Sequence, residues 1–170
     1  MYFAASFVYH DYGSYVNRTG RAFRMAITFV PDAGDVLMCD FRGLVPPEMT
    51  KVRHVIVLSP RSRNNFPGTY LVVPVSKQAP SPPEQHHHEF KPRCYDFFDL
   101  VEPVWAKADM MTCVSASRLD RVKVNGNFSR VRIRKEDLAC VRQAVLHALG
   151  MEEWQQVVEV KIEQKSIVIK

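Results

Sequence analysis

Three runs of almost uninterrupted apolar residues organise the first half of the chain: DVLMCDF from Asp35, VRHVIVLS from Val52 and TYLVVPVS from Thr69. Runs of this length bounded by turn formers predict β-strands, and the scarcity of polar alternation predicts burial on both faces, as in a small barrel. The separators fit. Gly34 precedes the first run, and RGLVPPEMTK follows it, stiffened by Pro46 and Pro47, which supply no backbone donors. PRSRNNFPG, dense in turn formers, separates the second run from the third. The period changes over RKEDLACVRQAVLHALG, where Leu138, Val141, Val145 and Leu149 recur every three or four residues. That spacing predicts one face of a helix, with acidic Glu136 and Asp137 near its start and Gly150 as its stop.

Between these segments the pattern weakens. QAPSPPEQHHHEFKPR, residues 78–93, is polar and proline-rich and predicts a long surface loop. FFDLVEPVWA is apolar but interrupted by Pro103, DMMTCVSASRLDRVKV predicts one or two strands, and FSRVRIR one more short strand. Residues 1–24 mix aromatics with arginines and show no period. They are expected to be an N-terminal extension, poorly ordered or the product of a start codon placed too far upstream, since MAITFVPDAGD makes a natural beginning at Met25. A main domain over 25–150 and a C-terminal extension over 151–170, with the strand-like runs VVEVKI and SIVIK, complete the expected organisation. The predicted class is β-rich α+β: a small barrel of short strands with one late helix.

Composition narrows the setting. At 170 residues and 46% hydrophobic content the chain is sized for one folded domain and is not a disordered polymer. A net charge of +5 suits a polyanionic or acidic partner without requiring one. Cys39, Cys94, Cys113 and Cys140 form no CxxC pair, and the N-terminus lacks the layout of a secretory signal. Free thiols, no membrane span and a cytoplasmic address are the expectation.

One charge stands out against this background. Arg53 opens the second, otherwise apolar run. Its surroundings form an ordered pattern: VPDAGDVLMCDF from Val30, Glu48 eight residues after Asp40, Arg53 five further on, then VLSP, the Asn64-Asn65 pair with Gly68, and VPVS ending at Ser76. This order resembles the MazF/PemK/Kid family, toxins of type II toxin–antitoxin modules, whose pattern runs VPD-x-GD, DF, a loop Glu, RP-x-VVLSP, NN-x-x-G and a strand ending P-x-T. The resemblance covers about a third of the chain closely and the later part loosely.

The resemblance implies an SH3-like β-barrel with helices and a homodimer. It implies a metal-independent endoribonuclease that cuts single-stranded RNA at short sequences, leaving a 2′,3′-cyclic phosphate and a 5′-hydroxyl, and an antitoxin whose acidic disordered tail covers the RNA groove. By position Arg53 is then the catalytic arginine, Ser76 stands where the family has its catalytic Thr, and Glu48 matches the loop Glu. The types suit the chemistry. A guanidinium offers a planar, permanently charged fork to phosphoryl oxygens, and a Ser hydroxyl keeps the donor atom of Thr. Arg is a poor base, so Glu48 is the candidate for proton transfer or RNA contact.

Three departures are present: His54 replaces the family's Pro, Pro46-Pro47 replaces Gly-Ser, and Ser76 replaces Thr. On a strand His54 should face away from Arg53. RNA contacts are expected from Arg61, Arg63, Asn64, Asn65, Lys77, Arg130 and Arg132, although for the two asparagines a pure turn role is the favoured reading. Alternation places Arg130, Arg132 and Arg134 on one strand face. The His86-His87-His88 run, with Cys94, raises the question of a metal, but ligand pairs of the usual spacing are missing, so a solvated loop and no cofactor are expected. Two other functions share the scaffold: a catalytically inactive barrel that binds RNA or a protein, and a gyrase-poisoning toxin. RNA cleavage that depends on Arg53 separates them.

Overall fold

The computed structural model describes residues 14–16, 22–24, 27–65, 68–99 and 101–151. Strands β1 (Ser14–Val16) and β2 (Ala22–Arg24) pair antiparallel in a small sheet of their own. The rest of the N-terminal extension, and the segment 152–170 expected to hold two strand-like runs, lie outside the described residues.

The three apolar runs become β3 (Asp35–Asp40), β4 (Val52–Val57) and β5 (Thr69–Ser76). β6 (His87–Phe90), β7 (Val104–Lys107), β8 (Thr112–Ser115), β9 (Leu119–Asp120) and β12 (Val131–Arg132) extend them, while β10 (Val122–Val124) and β11 (Asn127–Ser129) make a separate hairpin. The main sheet runs β12-β3-β4-β5-β7-β6, with β8 also on β5 and β9 also on β3. Every pairing is antiparallel. β5 is long enough to serve two partners on one edge: Thr69–Val72 pair with β8, and Val75 and Ser76 with β7. That handover curls the sheet into a half-barrel.

Burial on both faces follows from the alternation of side chains. Val36, Ile56, Val73 and Val75 point into one core, completed by Phe90, Phe97, Phe98, Val104 and the helix residue Val141. Leu37, Cys39, Val55, Val57 and Val72 point into the other, with Ile27, Tyr70, Val114, Ala116 and Leu119. The central strands are therefore walls between two apolar compartments, which is why they read as almost continuous hydrophobic runs.

Helix α1 (Lys135–Ala148) covers the first core. Val141 is fully buried, and Leu138 and Val145 pack beside it, whereas Leu149 is 55% exposed because the helix has already ended. Gly150 adopts φ +65°, its N–H donates to His147 O at 3.0 Å, and the N–H of Met151 reaches Leu146 O at 2.9 Å. These bonds satisfy carbonyls left open by the last turn. Trimming Val141 to Ala is expected to lower unfolding free energy by about 1–3 kcal/mol through lost burial and a residual cavity. Urea unfolding followed by circular dichroism would measure it.

Two segments differ from expectation. The predicted loop 78–93 contains β6, in which His87–Phe90 pair with Val104–Lys107 and Phe90 is 2% exposed. One buried aromatic, packed with its ring 5.1 Å from Phe98, gives a polar stretch reason to extend. FSRVRIR is not one strand but β11 and β12, in different sheets, with Arg130 between them turned onto Asp35.

Candidate active site

Arg53 sits one residue inside β4, opposite Cys39 of β3. The β4–β5 register pairs Val55 with Pro74. Arg53 and Ser76 lie two residues beyond that pair on their own strands, so alternation puts both on the same face, that of the second core. His54 takes the opposite face, its ring edge-on to Phe98 with centroids 5.5 Å apart. Burial holds its pKa below the ordinary imidazole value.

Among the described residues only Arg53 and Arg118 are arginines that are partly buried. Arg118 spends its Nη1 on the carbonyls of Asp40 and Arg42, at 2.7 and 3.2 Å. Arg53 has a buried Nε–H that meets no acceptor among the described residues. A buried donor left unsatisfied costs about 1–3 kcal/mol, so it calls for an explanation. Ser76, only 4% exposed, accepts from the N–H of Gln78 at 3.1 Å, which leaves its own O–H to donate. Glu48 lies in the loop that feeds β4. Its Oε2 accepts from Val45 N–H and its own N–H returns a bond to Val45 O, both at 2.9 Å. The turn holds the carboxylate at the lip of a hollow of about 190 Å³, lined also by Phe41, Leu44, Met49, Met110, Met111 and Thr112. Neither Arg53 nor Ser76 lines that hollow.

The expected RNA-contact residues divide by what already occupies them. Asn64 donates through Nδ2 to Pro31 O and Ser59 O, at 2.8 and 3.1 Å, and the O–H of Tyr70 donates to Asn65 O at 2.9 Å. Gly68 closes this turn where a Cβ would meet Asn65 O at 2.6 Å. The NN-x-x-G pattern is thus accounted for by turn geometry. Lys77 pairs with Asp99, which raises the pKa of the amine. Arg61 gives its backbone N–H to Asp32 Oδ1 at 2.8 Å, the main cause of that carboxyl's lowered pKa. The side chains of Arg61 and Arg63 are exposed.

Arg130 and Arg132 are committed elsewhere. Both grip Asp35, a fully buried carboxylate: Arg130 through Nε and Nη2 at 3.1 and 2.7 Å, Arg132 through Nε at 3.0 Å. Arg132 also reaches Asp32 through Nη2 at 3.0 Å. Arg134 instead precedes α1 and contacts Tyr95 and Asp137. Asp40 accepts from the backbone and side chain of Arg42, which lowers its pKa to about 2. Sequence reasoning identified neither the burial of Asp35 nor its two arginines, which lie about a hundred positions away along the chain. It also did not single out Phe128, which carries Arg121 and Lys123 at 5.5 and 4.9 Å from its ring, beside a cleft of about 580 Å³ on the His54 side.

A curled antiparallel half-barrel covered by one C-terminal helix, with a buried hydroxyl and an arginine whose Nε–H meets no acceptor among the described residues on one face, defines the class: a small barrel-like fold of the toxin type. Residues 32–149 match the family described as PemK-like, MazF-like toxin of type II toxin–antitoxin system, and the chain belongs to that family. It is 30% identical to the uncharacterized protein YifN of Escherichia coli strain K12, over 74% of this chain and 96% of that protein. Among solved structures, MazF (Form-I) from Deinococcus radiodurans aligns at a TM-score of 0.55 and 24% identity, covering 72% of this chain and 99% of that one. An endoribonuclease in complex with its cognate antitoxin from a mycobacterial species aligns at 0.52 and 15% identity, covering 71% and 96%. At these identities the two structures bear on the fold. Among the described residues no helix is long and apolar enough to cross a membrane.

Proposed function

We propose that the protein is an endoribonuclease toxin that cuts single-stranded RNA at short sequences without a metal ion, leaving a 2′,3′-cyclic phosphate and a 5′-hydroxyl. The observation that carries this reading is Arg53: a partly buried guanidinium on a rigid strand, with a buried N–H unmet by the described residues and a serine hydroxyl on the same sheet face. In the reaction the 2′-hydroxyl gives up its proton and attacks the adjacent phosphorus, negative charge grows on the phosphoryl oxygens, and the bond to the 5′-oxygen breaks as that oxygen takes a proton from water. Arg53 binds the growing charge, and because strand pairing already fixes its backbone, little reorganisation is needed at the moment of reaction. Ser76 donates its O–H to a phosphoryl oxygen. Glu48 has Oε1 uncommitted by the turn and serves as the proton acceptor from the 2′-hydroxyl, or as an RNA contact.

Arg61 and Arg63 are exposed charges on the turn at the far end of the β4–β5 hairpin from Arg53 and Ser76, where they would hold RNA backbone away from the cleaved bond. Lys77 follows Ser76 directly, while Asn64 and Asn65 build the turn at the far end of the β4–β5 hairpin, where Arg130 and Arg132 add positive field from their grip on Asp35. The same positive charges suit the acidic tail of a cognate antitoxin, and the working form is a homodimer. The antitoxin-bound relative supports the first of these partners.

The test is cleavage of a long single-stranded RNA by purified protein in EDTA, with end-group analysis. Cutting that leaves 5′-hydroxyl ends is expected. No cutting by folded protein over many RNA sequences would favour the non-catalytic scaffold. Ser76→Ala is expected to slow cleavage by about 10- to 100-fold, less than loss of the charged donor, because a neutral hydrogen bond contributes less than a charge-assisted one. Single-turnover rates on one defined oligonucleotide would measure it, and an unchanged rate would remove Ser76 from the mechanism.

A further inference from the structure

We propose that His86, His87 and Asp109, with Glu84 beside them, form a binding site for a divalent transition-metal ion of the zinc class. The arrangement follows from the pairing of β6 with β7. His87 lies opposite Lys107 in that ladder, and the N–H of Ala108 donates to His86 O at 3.2 Å. Asp109, in the 3-10 turn Ala108–Met110, is thereby drawn to the two imidazoles. His86 precedes the strand, so its ring does not alternate away, and the two ring centroids stand 4.2 Å apart. One ligand atom from each of His86, His87 and Asp109 falls within 4.8 Å of the others.

The donor spacing is close to what an ion requires. Bonds of about 2.0–2.2 Å to a tetrahedral centre place neighbouring donors roughly 3.3–3.5 Å apart. His87 Nε2 is 3.7 Å from Asp109 Oδ1, and His86 Nδ1 is 3.4 Å from Glu84 Oε2. Small side-chain rotations close the remainder, since Glu84 and Asp109 are exposed. Two imidazoles and the Asp109 carboxylate, with Glu84 near His86 outside this group, suit Zn²⁺, Co²⁺ or Ni²⁺ with solvent as the fourth ligand, whereas Mg²⁺ and Ca²⁺ favour all-oxygen sites. Ligation through His87 Nε2 puts that ring's proton on Nδ1, so the long contact from the Glu84 N–H, 3.3 Å, is released at an exposed position. The backbone bond from His87 N–H to Glu84 O, 2.9 Å, keeps the turn closed. Cys94, the other candidate ligand in the sequence, is not part of the group. The ion ties β6 to the 3-10 turn whose Met110 lines the hollow beside Glu48. Its role is structural and independent of the phosphoryl chemistry proposed above.

The test uses untagged full-length protein titrated with Co²⁺, followed by displacement with Zn²⁺. Visible bands of tetrahedral Co²⁺ that vanish on adding Zn²⁺ are expected, along with a Zn²⁺-dependent rise in melting temperature. Asp109→Asn and His86→Gln, both near-isosteric at accessible positions, are each expected to weaken Zn²⁺ binding at least about tenfold with an unchanged circular dichroism spectrum. Absence of the tetrahedral spectrum overturns the proposal. So does undiminished binding by Asp109→Asn, which keeps all three histidines and would assign the metal to the histidine run alone. No RNA is present in these measurements, so the outcome stands apart from that of the cleavage assay.

Discussion

Replacing Arg53 with Ala is expected to leave a protein that folds like the wild type and has lost RNA cleavage by about 10²- to 10³-fold, equivalent to about 2.7–4 kcal/mol of transition-state stabilisation. Both halves of this expectation follow from the same fact. The buried Nε–H meets no acceptor among the described residues, so removing the side chain gives up some packing of its stem but relieves an unsatisfied donor. What disappears is a charge aimed at where phosphoryl oxygens gather electrons. Melting curves and single-turnover cleavage in EDTA read the two halves separately. Arg53→Lys sharpens the experiment: it keeps a point charge but loses the planar fork, so only partial recovery is expected. Full cleavage by a folded Arg53→Ala protein would sink the mechanism.

A second large effect falls on stability. Asp35→Asn is expected to lower unfolding free energy by about 2–4 kcal/mol, measured by urea denaturation. The carboxylate is fully buried and accepts from the N–H of Asp32 at 2.8 Å and from both arginines. Asn keeps the shape but turns an amide donor toward guanidiniums that are themselves only donors, and it removes the charge that balances them. The link spans β3 and β12, since Asp35 also pairs with Arg132 in the strand register. The half-exposed arginines can turn to water, which limits the loss. A change below about 0.5 kcal/mol, the range typical of an innocuous surface substitution, would show the pairs to be ornamental.

Much of the fold was legible because β3, β4 and β5 are buried on both faces and bounded by glycines and prolines. The helix was legible because Leu138, Val141 and Val145 repeat at its period and Gly150 ends it. β6 was not, since HHEF has one apolar residue in four and its pairing with β7 is a tertiary fact. The candidate site was chosen in a different way. Arg53, Ser76 and Glu48 emerged from an ordered pattern shared with a family, and no local periodicity would have chosen them. Contacts between distant segments stayed hidden: Asp35 with Arg130 and Arg132, and the His86–His87 pair with Asp109. Asn64 shows the turn reading at work: its side-chain amide is held by the carbonyls of Pro31 and Ser59.

The two compartments separated by β4 also bear on how the strand finds its place. A slip of one residue against β3 and β5 would exchange every side chain between the faces. Arg53 would then be turned to the Phe98 side, where His54 now sits beside the cleft lined by Asp40 and Asp120, and would lose its place opposite Ser76. Apolar Val, Ile and Leu neighbours could tolerate that exchange, so they do little to forbid it. Only the native alignment therefore sets the guanidinium and the Ser76 hydroxyl on one face, so the register of β4 and the assembly of the candidate site are a single event.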